Sequence, residues 1–141
     1  MAEQWPFTPF FDAVGSGRVA PAGGTVVGFV GAAGTSLVEM AAIHTVADLQ
    51  KGSDTADRLE TALERLRDQR STLVSLAEAD ADAVDRLYGA TDQSAAGSVA
   101  ERATGVPLTM ATACSTVLSE AVPVAENTTA TSVVSGSTRN G

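Results

Sequence analysis

PAGGTVVGFVGAAGTSLVEMAAIHTV, residues 21–46, is the stretch around which the chain is organised. Pro21 and the Gly23-Gly24 pair punctuate the backbone before it. Thr25 is the natural cap, because its hydroxyl can accept a bond from an orphan backbone N–H of a first helical turn. From there to about Leu49 the residues are apolar or small, which predicts one long, fully buried central helix. Gly28, Gly31 and Gly34 recur at every third position inside it. Each should cost about 1 kcal/mol against Ala in a helix interior, so three of them call for a reason. Close approach by another helix is that reason.

Composition sets the surroundings. The chain has 141 residues, one domain by size, and 44% of them are hydrophobic, enough for a real core. Four of the six aromatics, Trp5, Phe7, Phe10 and Phe11, fall in the first eleven residues. The core must therefore be built mainly of Ala, Val and Leu, which suits tightly packed helices. Net charge is −8 and Lys51 is the only lysine. Such a field disfavours nucleic acid and anionic membranes, and the shortage of lysine fits adaptation to high salt. Cys114 is alone, so no disulfide forms within the chain, and a reducing cytoplasm is the expected location. No secretory pattern opens the sequence. The run Val26–Val38 is short for a bilayer span and is followed by Glu39, so no membrane association is expected.

The remaining segments read as helices. Residues 4–14 carry the aromatic anchors. Gly52-Ser53-Asp54 breaks the chain, with Ser53 or Asp54 as the next cap. Thr55 to Ala90 has strong helical spacing: Leu59, Leu63, Leu66, Leu73, Leu76, Val84 and Leu87 mark one face and charges mostly occupy the other. Gly89–Gly97 reads as a polar turn. A further helix is predicted from about Ser98 to Ala121, kinked or restarted at Pro107. Beyond Pro123 no helical period survives, so residues 124–141 are expected to be a disordered or irregular tail after a helical domain of residues 1–123. The fold class is all-α, a helical bundle.

One residue breaks the leucine stripe. Counted in sevens from Leu59, the positions are Leu59, Leu66, Leu73, Asp80 and Leu87; the companion row is Leu63, Arg70, Ala77 and Val84. Asp80 stands where Leu belongs. A carboxylate there must be paired, protonated or placed at a cavity, because an isolated buried charge is very costly. It either meets water at a bent part of the helix or is a functional carboxylate in a cleft. Arg70 lies on the same stripe, too far along for a pair within one helix, and needs a partner from a neighbour. His44 is a candidate proton carrier, although a lone His is more often structural. Cys114 reads as a small core residue. One His and one Cys cannot supply a usual metal site, so no metal is expected. The Gly pair completes neither GxGxxG nor a P-loop.

Three segments together resemble the cyclodeaminase/cyclohydrolase family of folate one-carbon enzymes. Ala20-Pro21-Ala22-Gly23-Gly24-Thr25-Val26 is similar to that family's Pro-Gly-Gly-Gly-Ser-Val, with Ala22 in place of a Gly and Thr25 in place of Ser. Leu76 to Val84 is similar to its Asp-Ala-x-Ala-Phe stretch, and Ala103-Thr104-Gly105-Val106-Pro107-Leu108 to its Ala-Thr-x-Val-Pro-Leu. The resemblance covers about residues 5–127 and implies a helical bundle that forms a homodimer and binds a tetrahydrofolate derivative as substrate. It places the family's catalytic aspartate at Asp80, the same residue that interrupts the stripe. Family members continue into further helices where this chain has NTTATSVVSGSTRNG, so the bundle is expected to be shortened at its C-terminal end.

The implied chemistry is cyclodeamination of 5-formiminotetrahydrofolate, a lyase reaction, or hydrolysis of 5,10-methenyltetrahydrofolate. Either needs one group that takes and returns a proton, and Asp80 is assigned that part, with His44 as a possible second carrier. Gly23, Gly24 and Thr25 are the candidate substrate-binding residues, since backbone N–H groups at a helix start attract anions. The competing expectation is a non-catalytic dimerisation or ligand-binding module left by truncation.

Overall fold

The computed structural model describes residues 7–89 and 93–137, with side chains over 7–88 and 105–128. Trp5 and Pro6 lie outside the described residues. Four helices follow one another, and no strand occurs among the described residues: α1 Thr8–Val14, α2 Gly23–Asp48, α3 Asp54–Gly89 and α4 Gln93–Ser137. The all-α bundle is therefore as the sequence predicts.

Local chemistry sets most boundaries. Ser53 caps α3: its hydroxyl accepts the Ala56 backbone N–H at 3.2 Å. Gly52 takes φ +74°, the left-handed conformation that turns the chain between α2 and α3. From Asp54 to Tyr88 there is neither Gly nor Pro, and α3 runs unbroken for 36 residues, about 54 Å.

Contacts between helices give the register. Thr25 meets Asp80, Gly28 meets Ala77, and Glu39 meets Arg70, so α3 runs antiparallel to α2. Gly28 meets Met110, Gly31 meets Cys114 and Thr45 meets Thr128, so α4 runs parallel to α2. Leu59, Leu66 and Leu73 on α3 are completely buried between the other two. Each contributes about 1.5–3 kcal/mol by leaving water. Phe10 of α1 packs edge-on against Phe29 of α2, ring centroids 5.3 Å apart.

Three expectations change. First, α2 is central in touching both α3 and α4, but within one chain only one face is buried: Thr25, Gly28, Ala32, Thr35, Glu39, Ala42 and Thr45. Three long helices give α2 two neighbours, and Val27, Val30, Leu37, Met40 and Ile43 stay exposed on its outer side. Second, α4 begins at Gln93, inside the expected turn, and passes through Pro107 without restarting. Pro107 sits on the exposed side of the helix, away from the packed face. Third, the expected irregular tail is helical from residue 124 to Ser137. Val124 is buried against Ala42, Leu59 and Leu63, and Thr128 bonds to Thr45 at 2.8 Å. Packing against α2 and α3 thus overrides a composition poor in helix formers.

By length and composition, α2 and residues 105–128 are each apolar enough to cross a membrane. The 26 residues of α2 correct the expectation that its apolar run is too short. An inner helix of a bundle passes the same test, and α2 carries the ion-paired Glu39 within it.

The glycines separate by role. A Cβ at position 28 would stand 2.8 Å from the Ala77 Cβ and 3.0 Å from the Leu73 carbonyl oxygen, so Gly28 is where α2 and α3 touch backbone to backbone. Gly31 faces the side chains of Leu73 and Cys114. Gly34 faces open space, which removes close approach within this chain as its reason.

Candidate functional site

The start of α2 is built against the middle of α3. Gly23, Gly24 and Thr25 form the first turn, and the first helical bond runs from the Val26 N–H to the Ala22 carbonyl at 3.2 Å. The three N–H groups before it have no partner within the helix. Ala22, at the N-cap, offers no side-chain acceptor. Asp80 supplies one from α3: its Oδ2 accepts the Thr25 backbone N–H at 2.7 Å and the Thr25 hydroxyl at 3.0 Å. Thr25 is therefore not the cap it is expected to be; Asp80 caps the helix from another element. The carboxylate also meets the positive end of the α2 dipole, which favours negative charge there.

Asp80 is 4% exposed and Thr25 3%. Gly24 lies directly against the carboxylate, and a Cβ at that position would fall onto Oδ1 and Oδ2. The Gly-Gly-Thr sequence thus has a steric reason at its second residue and a bonding reason at its third. Gly23 has open space around its Cα and makes no such demand.

The expected site residues divide. Asp80, Gly24 and Thr25 come together, with Gly23 at their edge. His44 does not join them. It lies about 30 Å from Gly24 along α2 at the usual helical rise, on the exposed side. In one chain it cannot exchange a proton with Asp80, which corrects the expectation that it serves as a second carrier there. Among the described residues no three His, Cys, Asp or Glu side chains gather as metal ligands.

Sequence reasoning missed a second buried carboxylate. Glu39 is 8% exposed, and its Oε1 accepts the Arg70 Nε–H at 2.7 Å. Arg67 approaches the other oxygen at 4.0 Å. The bond to Glu39, and then its charge, raise the Arg70 pKa above the ordinary guanidinium value. This is the neighbouring-helix partner that Arg70 requires. A Glu seven positions after Ala32 on the buried face of α2 was the available signal.

An apolar groove of about 300 Å³ runs between α2 and α4, lined in part by Gly31, Gly34, Cys114, Val117 and Leu118. Leu118, in its lining, is 69% exposed.

The chain matches the family model described as formiminotransferase-cyclodeaminase over residues 6–136. No curated protein and no solved structure matches it. The match takes in the Pro21–Thr25 segment, Asp80 and most of α4 alike. The chain belongs to the formiminotransferase-cyclodeaminase family, and so is a folate-related domain of that kind.

Proposed function

We propose, with that family membership as the premise, that this chain is a folate one-carbon enzyme that makes or opens the methenyl bridge, with Asp80 as its general acid and base. The observation that carries the reading is a carboxylate 4% exposed, set in an apolar stripe and held by neutral donors at a helix start. No cation is bonded to it among the described residues.

In the deaminating direction, N10 of 5-formiminotetrahydrofolate attacks the formimino carbon. The formimino group reacts as its amidinium, C=NH2+, so when Asp80 takes the N10 proton and returns it to the former imino nitrogen that nitrogen becomes NH3+. The C–N bond to that nitrogen breaks, ammonia leaves, and 5,10-methenyltetrahydrofolate remains. In the hydrolytic direction Asp80 takes a proton from the attacking water and returns it to N5 as the C–N5 bond breaks; the adduct's hydroxyl proton passes to solvent as the formyl C=O forms, giving 10-formyltetrahydrofolate. The Gly23 and Gly24 N–H groups are suited to an oxygen of the substrate.

The test is the appearance or loss of methenyltetrahydrofolate absorbance with each substrate. Asp80→Asn is expected to lower turnover by about a hundred- to ten-thousand-fold, the usual worth of a positioned acid–base group. Unchanged turnover in that variant removes Asp80 from the chemistry.

The same reading includes a homodimer. Its support is the outer face of α2, where Val30 is 66% and Leu37 63% exposed, continued by Leu118 and Val122 of α4. An apolar face of this kind on a chain of charge −8 associates best when salt screens the repulsion between copies. Light scattering should give twice the chain mass in high salt, and Leu37→Asp should return it to one.

A further inference from the structure

We infer that Thr25 is a positioning residue that selects which oxygen of Asp80 handles the proton; the inference rests on the folate reading above. Both donors of Thr25, its N–H at 2.7 Å and its hydroxyl at 3.0 Å, go to the same atom, Oδ2. Two donors on one carboxylate oxygen hold the negative charge there, because a hydrogen bond to the charged form favours it. The proton in transit therefore belongs on Oδ1.

The surroundings of Oδ1 agree. It takes neither Thr25 bond, and it lies against the Cα of Gly24, where any side chain would collide with it. Among the described residues no fully buried side-chain oxygen or nitrogen lacks a partner, so Oδ1 is not sealed in. One oxygen is anchored and the other is left for chemistry.

This changes the part expected of Thr25. Its hydroxyl is committed to Asp80, so it is not the group that binds a substrate. It also explains why a hydroxyl residue is wanted at the third position of the helix. Ser would place its oxygen similarly; Val would keep the shape and the N–H but remove one of the two donors.

The experiment is steady-state kinetics of the full chain with 5-formiminotetrahydrofolate and with 5,10-methenyltetrahydrofolate, for wild type, Thr25→Val and Thr25→Ser. Thr25→Val should lower kcat by about ten- to a hundredfold, the worth of one hydrogen bond to a charged group, with KM within about twofold. Thr25→Ser should restore kcat. A raised KM with kcat intact would make Thr25 a substrate-binding residue and overturn the inference. So would a Thr25→Val enzyme with normal kcat. Amide hydrogen exchange on the wild-type chain supplies a readout free of activity. The Thr25 N–H has no acceptor within α2, so it is protected only if Asp80 holds it. Exchange as fast as at Gly23 overturns the geometry. Turnover of neither substrate by a wild type whose Thr25 amide is protected overturns the folate reading instead, and the role in that reaction with it.

Discussion

Two carboxylates are buried against α2, and they are held in opposite ways. Glu39, halfway along, is neutralised by the Arg70 guanidinium at 2.7 Å, with Arg67 nearby. Asp80, at the start of α2, has only the N–H and hydroxyl of Thr25 among the described residues. The first arrangement pairs a charge with a charge. The second meets a charge with dipoles. Burial alone therefore says little about chemistry. What the carboxylate is bonded to decides whether it is a fastener or a reagent.

The comparison is most sharply broken by exchanging the two acids for amides. Asp80→Asn keeps a carbonyl oxygen for the Thr25 N–H, so the helix start should survive while turnover falls by about a hundred-fold or more. Glu39→Gln should do the reverse, leaving turnover within a few-fold and lowering the melting temperature. Calorimetry and the absorbance assay on the same two proteins measure both. Equal loss of turnover in the two would erase the distinction.

Steric crowding gives the next effect. Gly24→Ala drives a methyl into the Asp80 carboxylate. Its cost of about 1–3 kcal/mol outweighs the better helix propensity of Ala, and kcat should fall at least tenfold.

Arg70→Met should lower the melting temperature by a few degrees without moving kcat. The effect should also be flat with pH through the neutral range. The folded-state pKa of Arg70 lies above its unfolded one, so the stability linked to it is complete below the unfolded value. It is lost only as pH rises through the folded value, far into the alkaline range.

The smallest change expected is a gain. Gly34→Ala enters open space, so dilute protein should be more stable by up to about 1 kcal/mol. A reversed sign at high protein concentration would show a second copy packed on that glycine.

Asp80 was legible in the sequence because a leucine stripe makes one misplaced acid conspicuous. Glu39 was not, since α2 is apolar nearly all round and hides which face looks inward. Nor was the work of Thr25, which depends on the register between α2 and α3. That register is set by Gly28 against Ala77 and Leu73, a contact that neither helix encodes alone. The helix beyond Pro123 was hidden for a related reason. Its Thr and Ser residues are weak helix formers, and it is held by side chains that bond back one turn, as Asn127 does to the Pro123 carbonyl at 2.7 Å, and by Val124 in the core. His44 stands out as the only histidine, but within one chain the helix places it about 30 Å from Gly24.

The register has one more consequence. Gly28 is level with Met110 on α4 and Ala77 on α3, yet α4 starts back at Gln93 and α3 runs on to Gly89. Both therefore extend past the start of α2, α4 by roughly 18 Å and α3 by roughly 10 Å at the helical rise. The three helices end in a step, not a flat face, and Asp80 stands in its inner corner. The carboxylate thus sits where the shortest of the three long helices begins, beside the stretches of α3 and α4 that run on beyond it.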